Sequence, residues 1–269
     1  MPVGSITRGT TNANRLRRFD RWIAAQPAIR RAADPLVVDL GYGASAVTPL
    51  ELHHRLAAVR PDVEVLGLEI DPARVRRARA QLAEVRAGAT AFDPEASVSF
   101  ALGGFEVPVP GGRAPAVIRA CNVLRQYDES EVAEAWGMLV GRLAPGGVLV
   151  EGTCDELGRI ASWVGLDADG PRTFTVALRL AGLEAPSVVA ERLPKALIHR
   201  NVPGEPVHRF LRALDRAWTV HAPLSVYGPS QRWIRSVRTL REEGWPIEGG
   251  VRRWRLGEVT VAWSAVAPA

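Results

Sequence analysis

The sequence predicts an α/β protein with a doubly wound, mostly parallel sheet. Strand-like apolar runs alternate with helix-like segments through the first half of the chain, which is typical of right-handed β-α-β units. The run 36–40 is apolar almost throughout, as expected for a strand that is buried on both faces of a parallel sheet. We therefore expect helices on both sides of this sheet.

The first elements follow from capping residues and from the spacing of apolar residues. A helix is predicted at 12–26, because Thr11 or Asn12 can cap it and apolar residues recur at helical spacing along it. The strand at 36–40 leads through a glycine turn to a helix at 48–59. A proline near the start of that helix stands where proline is tolerated.

The middle of the chain continues the alternation. A strand at 63–70 ends at Asp71 and Pro72, and these two residues begin a helix at 73–87. Turns rich in glycine and proline separate the elements that follow. These are predicted strands at 98–102, 116–121 and 148–151, and a predicted helix at 129–143.

The last part of the chain is less regular. Alternating polarity predicts a strand at 173–180, and helical spacing predicts helices at 207–218 and 230–243. The stretch RRWRLGEVTVAW predicts one strand, or a hairpin across Leu256 and Gly257. We interpret the Pro-, Arg- and Trp-rich segment near 184–248 as a helical insertion that packs over the sheet, not as a separate domain.

The charge of the chain is strongly basic and almost all of it comes from arginine. The 269 residues carry a formal net charge of +5, with a sequence pI of about 10.0, and Lys195 is the single lysine. Arginine is concentrated at 1–31 and at 190–256. Because arginine is abundant throughout, we favour solvated helix faces for these segments over a nucleic-acid surface.

Composition also bears on the compartment. Cys121 and Cys154 show neither metal-ligand spacing nor a disulfide framework, so we expect no metal site and a reducing, cytoplasmic location. No uncharged apolar run is long enough to predict a membrane span. Residues 1–18 lack the apolar core of a secretory signal.

A glycine turn after the first strand predicts a ligand site. Gly41, Gly43 and Ala46 satisfy the loose dinucleotide pattern G-x-G-x-x-G/A, and Glu69 ends the next strand. Asp39 speaks against a dinucleotide, because its carboxylate would repel a pyrophosphate in a crevice of low dielectric constant. A ligand with a sulfonium and an ammonium group, S-adenosylmethionine (SAM), would instead suit an acid at this position.

Four stretches in order resemble the motifs of the class I SAM-dependent methyltransferases. They are VVDLGYGAS, VLGLEIDPARV, VIRACNVLRQY and LAPGGVLVEG, and together they span roughly residues 35–153. The resemblance implies a Rossmann-like, seven-stranded sheet, SAM as cofactor and methyl transfer as the activity. It also implies that 1–34 is a helical lid segment and that 35–269 is the methyltransferase domain. Residues Arg8, Thr10, Thr11, Asn12 and Asn14 are the expected lid residues.

The same resemblance implies roles for single residues. It places Asp39, Gly41 and Gly43 along the methionine part of SAM, Glu69 at the ribose hydroxyls and Ile70 on the adenine. It places the end of the third strand beside the adenine as well, with Gly104 and Phe105. The acid that many members carry there is absent, although Glu106 follows closely.

Asn122 and Tyr127 are the predicted catalytic residues. Asn122 ends the fourth strand, which the resemblance places beside the transferable methyl group, and Tyr127 follows it toward the pocket. Structural alternatives stay open for three of the predicted site residues. Asp39 and Asn122 could serve the turns in which they stand, and Phe105 could belong to the core.

A general base is not evident from the sequence. We expect His53 and His54 to lie on a surface helix, and Cys121 to be buried and structural. Three later histidines lie in or beside the expected insertion, but a lone histidine carries little information. They are His199, His208 and His221.

The methyl acceptor is open, either a small molecule or a group on a protein. One alternative is an RNA methyltransferase that uses the basic segments near the two ends of the chain. Another is a nicotinamide-dependent oxidoreductase or a SAM-binding module without catalysis. We expect no membrane partner, and the sequence does not indicate an oligomeric state.

Overall fold

The structure is a computed structural model that describes residues 2–6, 9 and 12–268. The chain divides into two compact units. The first comprises Met1–Glu151, Glu156–Gly158 and Leu166–Gly170, and the second comprises Gly152–Asp155, Arg159–Gly165 and Pro171–Ala269.

The first unit contains the alternating helices and strands that the sequence predicts. The helices are α1 (Arg17–Ile23), α2 (Pro27–Arg30), α3 (Val47–Ala57), α4 (Pro72–Arg86) and α5 (Val132–Val140). The strands are β1 (Leu36–Leu40), β2 (Glu64–Glu69), β3 (Val98–Leu102) and β4 (Val117–Cys121), and β5 (Val148–Cys154) begins in this unit.

The sheet of the first unit is parallel, which confirms the predicted fold class. β1 pairs with β2 on one side and with β4 on the other, and β3 pairs with β2. All five residues of β1 are buried, as expected for a central strand that helices cover on both faces. The register sets Asp39 of β1 opposite Arg119 of β4 and opposite Gly67 of β2.

The second unit combines antiparallel strands with amphipathic helices. Strand β5 continues into this unit, and two further strands lie partly in each unit, β6 (Ile160–Asp167) and β7 (Gly170–Leu178). The other elements are α6 (Lys195–Ile198), α7 (Pro206–Val220), α8 (Pro229–Glu242), β8 (Ile247–Glu248), α9 (Val251–Trp254) and β9 (Glu258–Ala262). β9 pairs antiparallel with both β7 and β8.

Some sequence predictions of the fold were wrong in detail. The sheet of the described residues has nine strands and not seven. β6 was missed, and the stretch RRWRLGEVTVAW forms the short helix α9 before β9 where one strand or a hairpin was expected. The first helix is shorter than the predicted 12–26, since α1 spans Arg17–Ile23 and has no side-chain hydrogen bond at its N-cap.

Two further features concern the expected compartment and partners. Within the described residues, no helix has both the length and the apolar character that a membrane crossing requires. Cys121 and Cys154 are both buried, as the sequence predicts, and neither takes part in a disulfide. Among the same residues, no group of histidine, cysteine or acidic side chains has the arrangement of a metal site.

Candidate functional site

The glycine turn connects β1 to α3 at the carboxyl edge of the parallel strands. Gly41 and Gly43 both adopt positive φ angles, 67° and 88°, which a residue with a side chain rarely adopts. Gly41 N–H donates to the carbonyl oxygen of Leu68 at 2.8 Å and so ties the turn to β2. Ala46, at the last position of the G-x-G-x-x-G/A pattern, is the N-cap of α3.

Glu69 lies at the end of β2 and faces this turn. Its carboxylate is only 1% exposed, and one oxygen accepts from Gly43 N–H at 3.0 Å. The other oxygen accepts from Ile70 N–H at 2.9 Å, and the guanidinium of Arg74 lies 3.4 Å from the carboxylate. Asp71 N–H and the Arg74 guanidinium also donate to this carboxylate, each at 3.4 Å, and these two long hydrogen bonds are the ones that hydroxyl donors would replace.

A small pocket, partly open to solvent, lies beside Glu69 and the glycine turn within the first unit. The space in it that a water molecule can reach is about 20 Å³, far below the roughly 300 Å³ or more of a small-ligand pocket, so a nucleoside needs the lining residues to move apart. Six of the predicted site residues line it: Gly41, Glu69, Ile70, Gly104, Phe105 and Tyr127. The other lining residues are Val3, Gly4, Ser5, Leu40, Gly103 and Val123. The three N-terminal residues lie in the predicted lid segment 1–34, but no motif marks them and they were not among its expected residues.

Three predicted residues are not part of the pocket lining among the described residues: Asp39, Gly43 and Asn122. Gly43 still contributes through its hydrogen bond to Glu69. Asn122 follows β4 with a φ of 60°, a left-handed conformation that asparagine tolerates better than most residues, and it precedes the lining residue Val123. Its catalytic role stays a prediction.

Phe105 and Tyr127 form an aromatic wall of the pocket. Their ring centroids are 5.3 Å apart, and both side chains are at least nine-tenths buried. The hydroxyl oxygen of Tyr127 accepts from Ser5 N–H at 2.5 Å. Tyr127 therefore combines an apolar surface with one polar atom in the pocket, which suits the orientation of a ligand.

A buried ion-pair cluster lies behind the glycine turn. Arg119 is fully buried, and its guanidinium donates to the two carboxylate oxygens of Asp39 at 2.9 and 2.5 Å. The same guanidinium donates to Asp20 of α1, and Arg55 of α3 donates to the other oxygen of Asp20 at 2.5 Å. Two guanidinium groups thus compensate two buried carboxylates, as burial of charge requires.

This cluster changes the interpretation of Asp39. Arg119 supplies the positive partner that the sequence suggested a ligand would supply. Because Asp39 is paired with Arg119, it would also repel a pyrophosphate far less than an isolated carboxylate would. The choice between SAM and a dinucleotide therefore depends on other residues. An arginine inside the apolar run VIRAC was the signal that could have revealed the pair.

Two of the five residues expected in a lid lie within the described part of the chain, and both make hydrogen bonds. Asn14 donates its backbone N–H to both carboxylate oxygens of Glu51 at 2.7 and 3.0 Å. The side-chain amide of Asn12 donates to the carbonyl oxygen of Glu156 at 3.1 Å. Both interactions fix the start of α1, and the lid itself stays a prediction. Outside the described residues lie Arg8, Thr10 and Thr11.

The histidines do not supply a base at this pocket. The expectation that His53 lies on a surface was wrong: it is buried in α3, and its Nε2 accepts from Ser97 N–H at 3.0 Å. Burial lowers the pKa of His53. His54 is exposed, as expected. The remaining three belong to the second unit: His199, His208 and His221.

The first unit is an α/β domain with a pocket at the carboxyl edge of its parallel strands, where Glu69 ends β2. The chain is 36% identical to a trans-aconitate 2-methyltransferase of Methylobacterium radiotolerans over 128 residues. That match covers 46% of this chain and 40% of the relative, so the chain spans well under half of the curated protein it matches. The similarity confirms the resemblance to methyltransferases that the motifs indicated. The chain matches no protein-family model.

Two solved structures illustrate the structural similarity. The methyltransferase CcbJ from Streptomyces caelestis is 20% identical, and the match covers 62% of this chain and 66% of that chain with a TM-score of 0.37. Human N-acetylserotonin methyltransferase in complex with SAM is 19% identical, and the match covers 54% of this chain and 36% of that chain with a TM-score of 0.36.

Proposed function

We propose that the chain transfers a methyl group from SAM to a small-molecule acceptor. The observation that carries this proposal is the buried carboxylate of Glu69 at the glycine turn, where it lines a pocket with apolar walls. A carboxylate accepts hydrogen bonds from the ribose hydroxyls of a nucleoside, and apolar side chains pack on its base. The match to a curated methyltransferase over 128 residues supports SAM over a nicotinamide cofactor.

Each pocket residue has a distinct task in this proposal. Glu69 binds the ribose, Ile70 and Phe105 hold the adenine, and Gly41 leaves space for the methionine part. Asp39 acts indirectly, because its pairing with Arg119 fixes the strand that carries the turn. When bound, SAM supplies a methyl group on a sulfonium, which is already activated for in-line displacement.

Catalysis by the chain's own residues is then chiefly positioning and exclusion of water. Tyr127 carries a hydroxyl at the pocket wall, and Asn122 stands next to the lining residue Val123. We assign these two residues to orientation of the acceptor beside the methyl group. An acceptor that is already an anion, such as a carboxylate, needs no general base, which agrees with a pocket that no described histidine lines.

Thermal-shift titration separates the cofactor classes. We expect SAM and S-adenosylhomocysteine (SAH) to raise the unfolding temperature, since a ligand at 100 times its Kd stabilises by about 2.7 kcal/mol. NADH should leave the temperature unchanged. Stabilisation by NADH without any effect of SAM or SAH would refute the proposal.

Transfer of a labelled methyl group from SAM tests the acceptor. The curated relative is named for trans-aconitate, so this tricarboxylate is the first acceptor to assay, followed by other small carboxylic acids and hydroxyl compounds. We expect label in a small-molecule product. Label that appears only in protein or in RNA would contradict a small-molecule acceptor.

A nucleic-acid acceptor is the second candidate, favoured by one surface of α7. Arg209, Arg212 and Arg216 are exposed at helical spacing on this helix. Its single acid, Asp215, accepts from Ser187 N–H at 2.8 Å, so one of its oxygens is directed toward residues 186–192. Arginines in such a row suit contacts to phosphates.

Salt dependence of RNA binding tests this candidate. Contacts to three phosphates on a single strand would give a slope of about −2 in log K against log salt concentration. Changing the three α7 arginines to glutamine should abolish that slope. The control is Arg76, an exposed arginine of α4, and Arg76→Gln should preserve the slope. No detectable RNA binding at low salt would remove this candidate.

A further inference from the structure

Three residues near the N-terminus, which we call the N-terminal plug (residues 3–5), line the candidate cofactor pocket. Val3 N–H donates to a carboxylate oxygen of Glu106 at 2.7 Å, and Val3 carbonyl oxygen accepts from Phe105 N–H at 2.9 Å. Ser5 N–H donates to the hydroxyl oxygen of Tyr127 at 2.5 Å. The plug is thus held by three hydrogen bonds to one rim of the pocket.

The hydrogen bonds of Val3 have the pattern that an adenine would make. Val3 presents one N–H donor close to one carbonyl acceptor, and adenine presents its amino donor close to a ring-nitrogen acceptor. The Glu106 carboxylate accepts one hydrogen bond and Phe105 N–H donates another, so these two groups complement either the Val3 backbone or an adenine. The other oxygen of Glu106 accepts from Gly104 N–H at 3.0 Å, which holds the carboxylate toward this position.

Two glycines make the contact between plug and pocket possible. A Cβ atom on Gly104 would lie 2.0 Å from Val3 carbonyl oxygen, which no real packing allows. Gly4 has a φ of 128°, and a Cβ atom there would lie 2.8 Å from the Tyr127 hydroxyl. A side chain at either glycine would keep the plug out of the pocket. The fit therefore depends on Gly4 in the plug and on Gly104 in the pocket wall.

The same N-terminal segment also contacts the glycine turn. The carbonyl oxygen of Gly9 accepts from Ala44 N–H at 3.0 Å. Residues 3–5 contact the loop that follows β3, and Gly9 contacts the turn that follows β1. These two contacts lie near the two ends of the surface that the proposed cofactor would cover.

We propose that the N-terminal plug is an autoinhibitory contact that occupies the adenine position in the free protein. This inference rests on the proposed function, because it assumes that the pocket binds SAM and SAH. The cofactor binds only when residues 3–5 leave the pocket. The apparent association constant therefore equals the intrinsic association constant multiplied by the fraction of molecules whose pocket is open. Removal of the plug therefore tightens binding, whereas removal of a lid that holds the cofactor would weaken it.

Calorimetric titration with SAH distinguishes these cases. Val3→Pro removes the N–H that donates to Glu106, and Val3→Ala is the matched control that keeps it. We expect Val3→Pro to tighten SAH binding about fivefold, the equivalent of one hydrogen bond of about 1 kcal/mol. A chain that lacks residues 2–6 should bind SAH at least about tenfold more tightly, and Val3→Ala should bind like the wild type.

Hydrogen exchange tests the inference without any substitution. The amides of Val3 and Ser5 donate hydrogen bonds in the free protein. They should exchange faster when SAH is bound, because the displaced plug loses those bonds. Slower exchange with SAH would identify a lid and overturn the inference.

The binding results distinguish a failure of the plug from a failure of the proposed function. SAH binding that is unchanged or weaker in the shortened chain overturns the plug and leaves the proposed function intact. If neither the full chain nor the shortened chain binds SAH, the proposed function is wrong and the inference falls with it. Tighter binding in the shortened chain supports both.

Discussion

Replacement of Arg119 by methionine tests how the site is held together. The side chain is fully buried and makes hydrogen bonds to Asp39, to Asp20 and to the carbonyl oxygen of Thr48. Asp20 keeps its second partner, Arg55, in the variant. Among the described residues, Asp39 keeps the Thr48 hydroxyl at 3.3 Å and no positive partner, so its buried carboxylate is left uncompensated.

The expected cost follows from that loss. Removal of one partner from a buried ion pair destabilises a protein by about 3 to 5 kcal/mol, because the remaining charge stays buried and uncompensated. Urea unfolding at neutral pH, followed by fluorescence, measures the change. The double variant Arg119→Met with Asp39→Asn should recover part of the loss, because it also removes the orphaned charge.

Arg113→Met is the matched control. Arg113 pairs with Asp34 at 2.5 Å and with Glu64 at 2.7 Å, but its side chain is 36% exposed. Exposed pairs contribute about 0 to 1 kcal/mol, so this variant should remain near the wild type. A loss below about 1 kcal/mol for Arg119→Met, or equal losses for both variants, would refute the reasoning.

Three further predictions concern a titrating acid, the pocket wall and the second unit. Burial raises the pKa of the Glu151 carboxyl to about 8, so the native state keeps this proton to a higher pH than the unfolded chain does. The free energy of unfolding should therefore fall by about 1.4 kcal/mol per pH unit from about pH 4.5 to about pH 8. Glu151→Gln should flatten that slope in urea unfolding. Tyr127→Phe removes the acceptor of Ser5 N–H, so exchange of that amide should accelerate, and unchanged protection would contradict the contact. Arg232→Met should lower the unfolding midpoint by the equivalent of about 1 kcal/mol, because the guanidinium lies 3.7 Å from the centre of the Trp218 ring.

Sequence reasoning predicted the parallel part of the fold because its signals are local. The apolar run of β1, the glycine turn and the Asp71–Pro72 helix start each depend on neighbouring residues, and Asp71 does cap α4 by accepting from Ala73 N–H at 2.8 Å. The late strands depend on pairing with distant partners. β9, for example, pairs antiparallel with β7, and no local sequence pattern predicts that pairing.

The site was predicted in part for the same reason. Glu69 and Gly41 belong to motifs that are read along the chain, and both line the pocket. The partner of Asp39 stands 80 positions later, so only the fold brings Arg119 to it. The plug is a tertiary contact as well: Val3 meets Glu106 across 103 positions and carries no motif.

Binding of SAH to the wild-type chain and to Glu69→Ala is the most direct test of the proposed methyltransferase site. We expect the wild type to bind SAH and not NADH in calorimetric titration. Hydrogen bonds to a charged group contribute about 1.5 to 3 kcal/mol, so Glu69→Ala should weaken SAH binding by a factor of about 10 to 100, with Arg113→Met unchanged. Equal SAH affinity in the wild type and Glu69→Ala, or binding of NADH in place of SAH, would contradict the account.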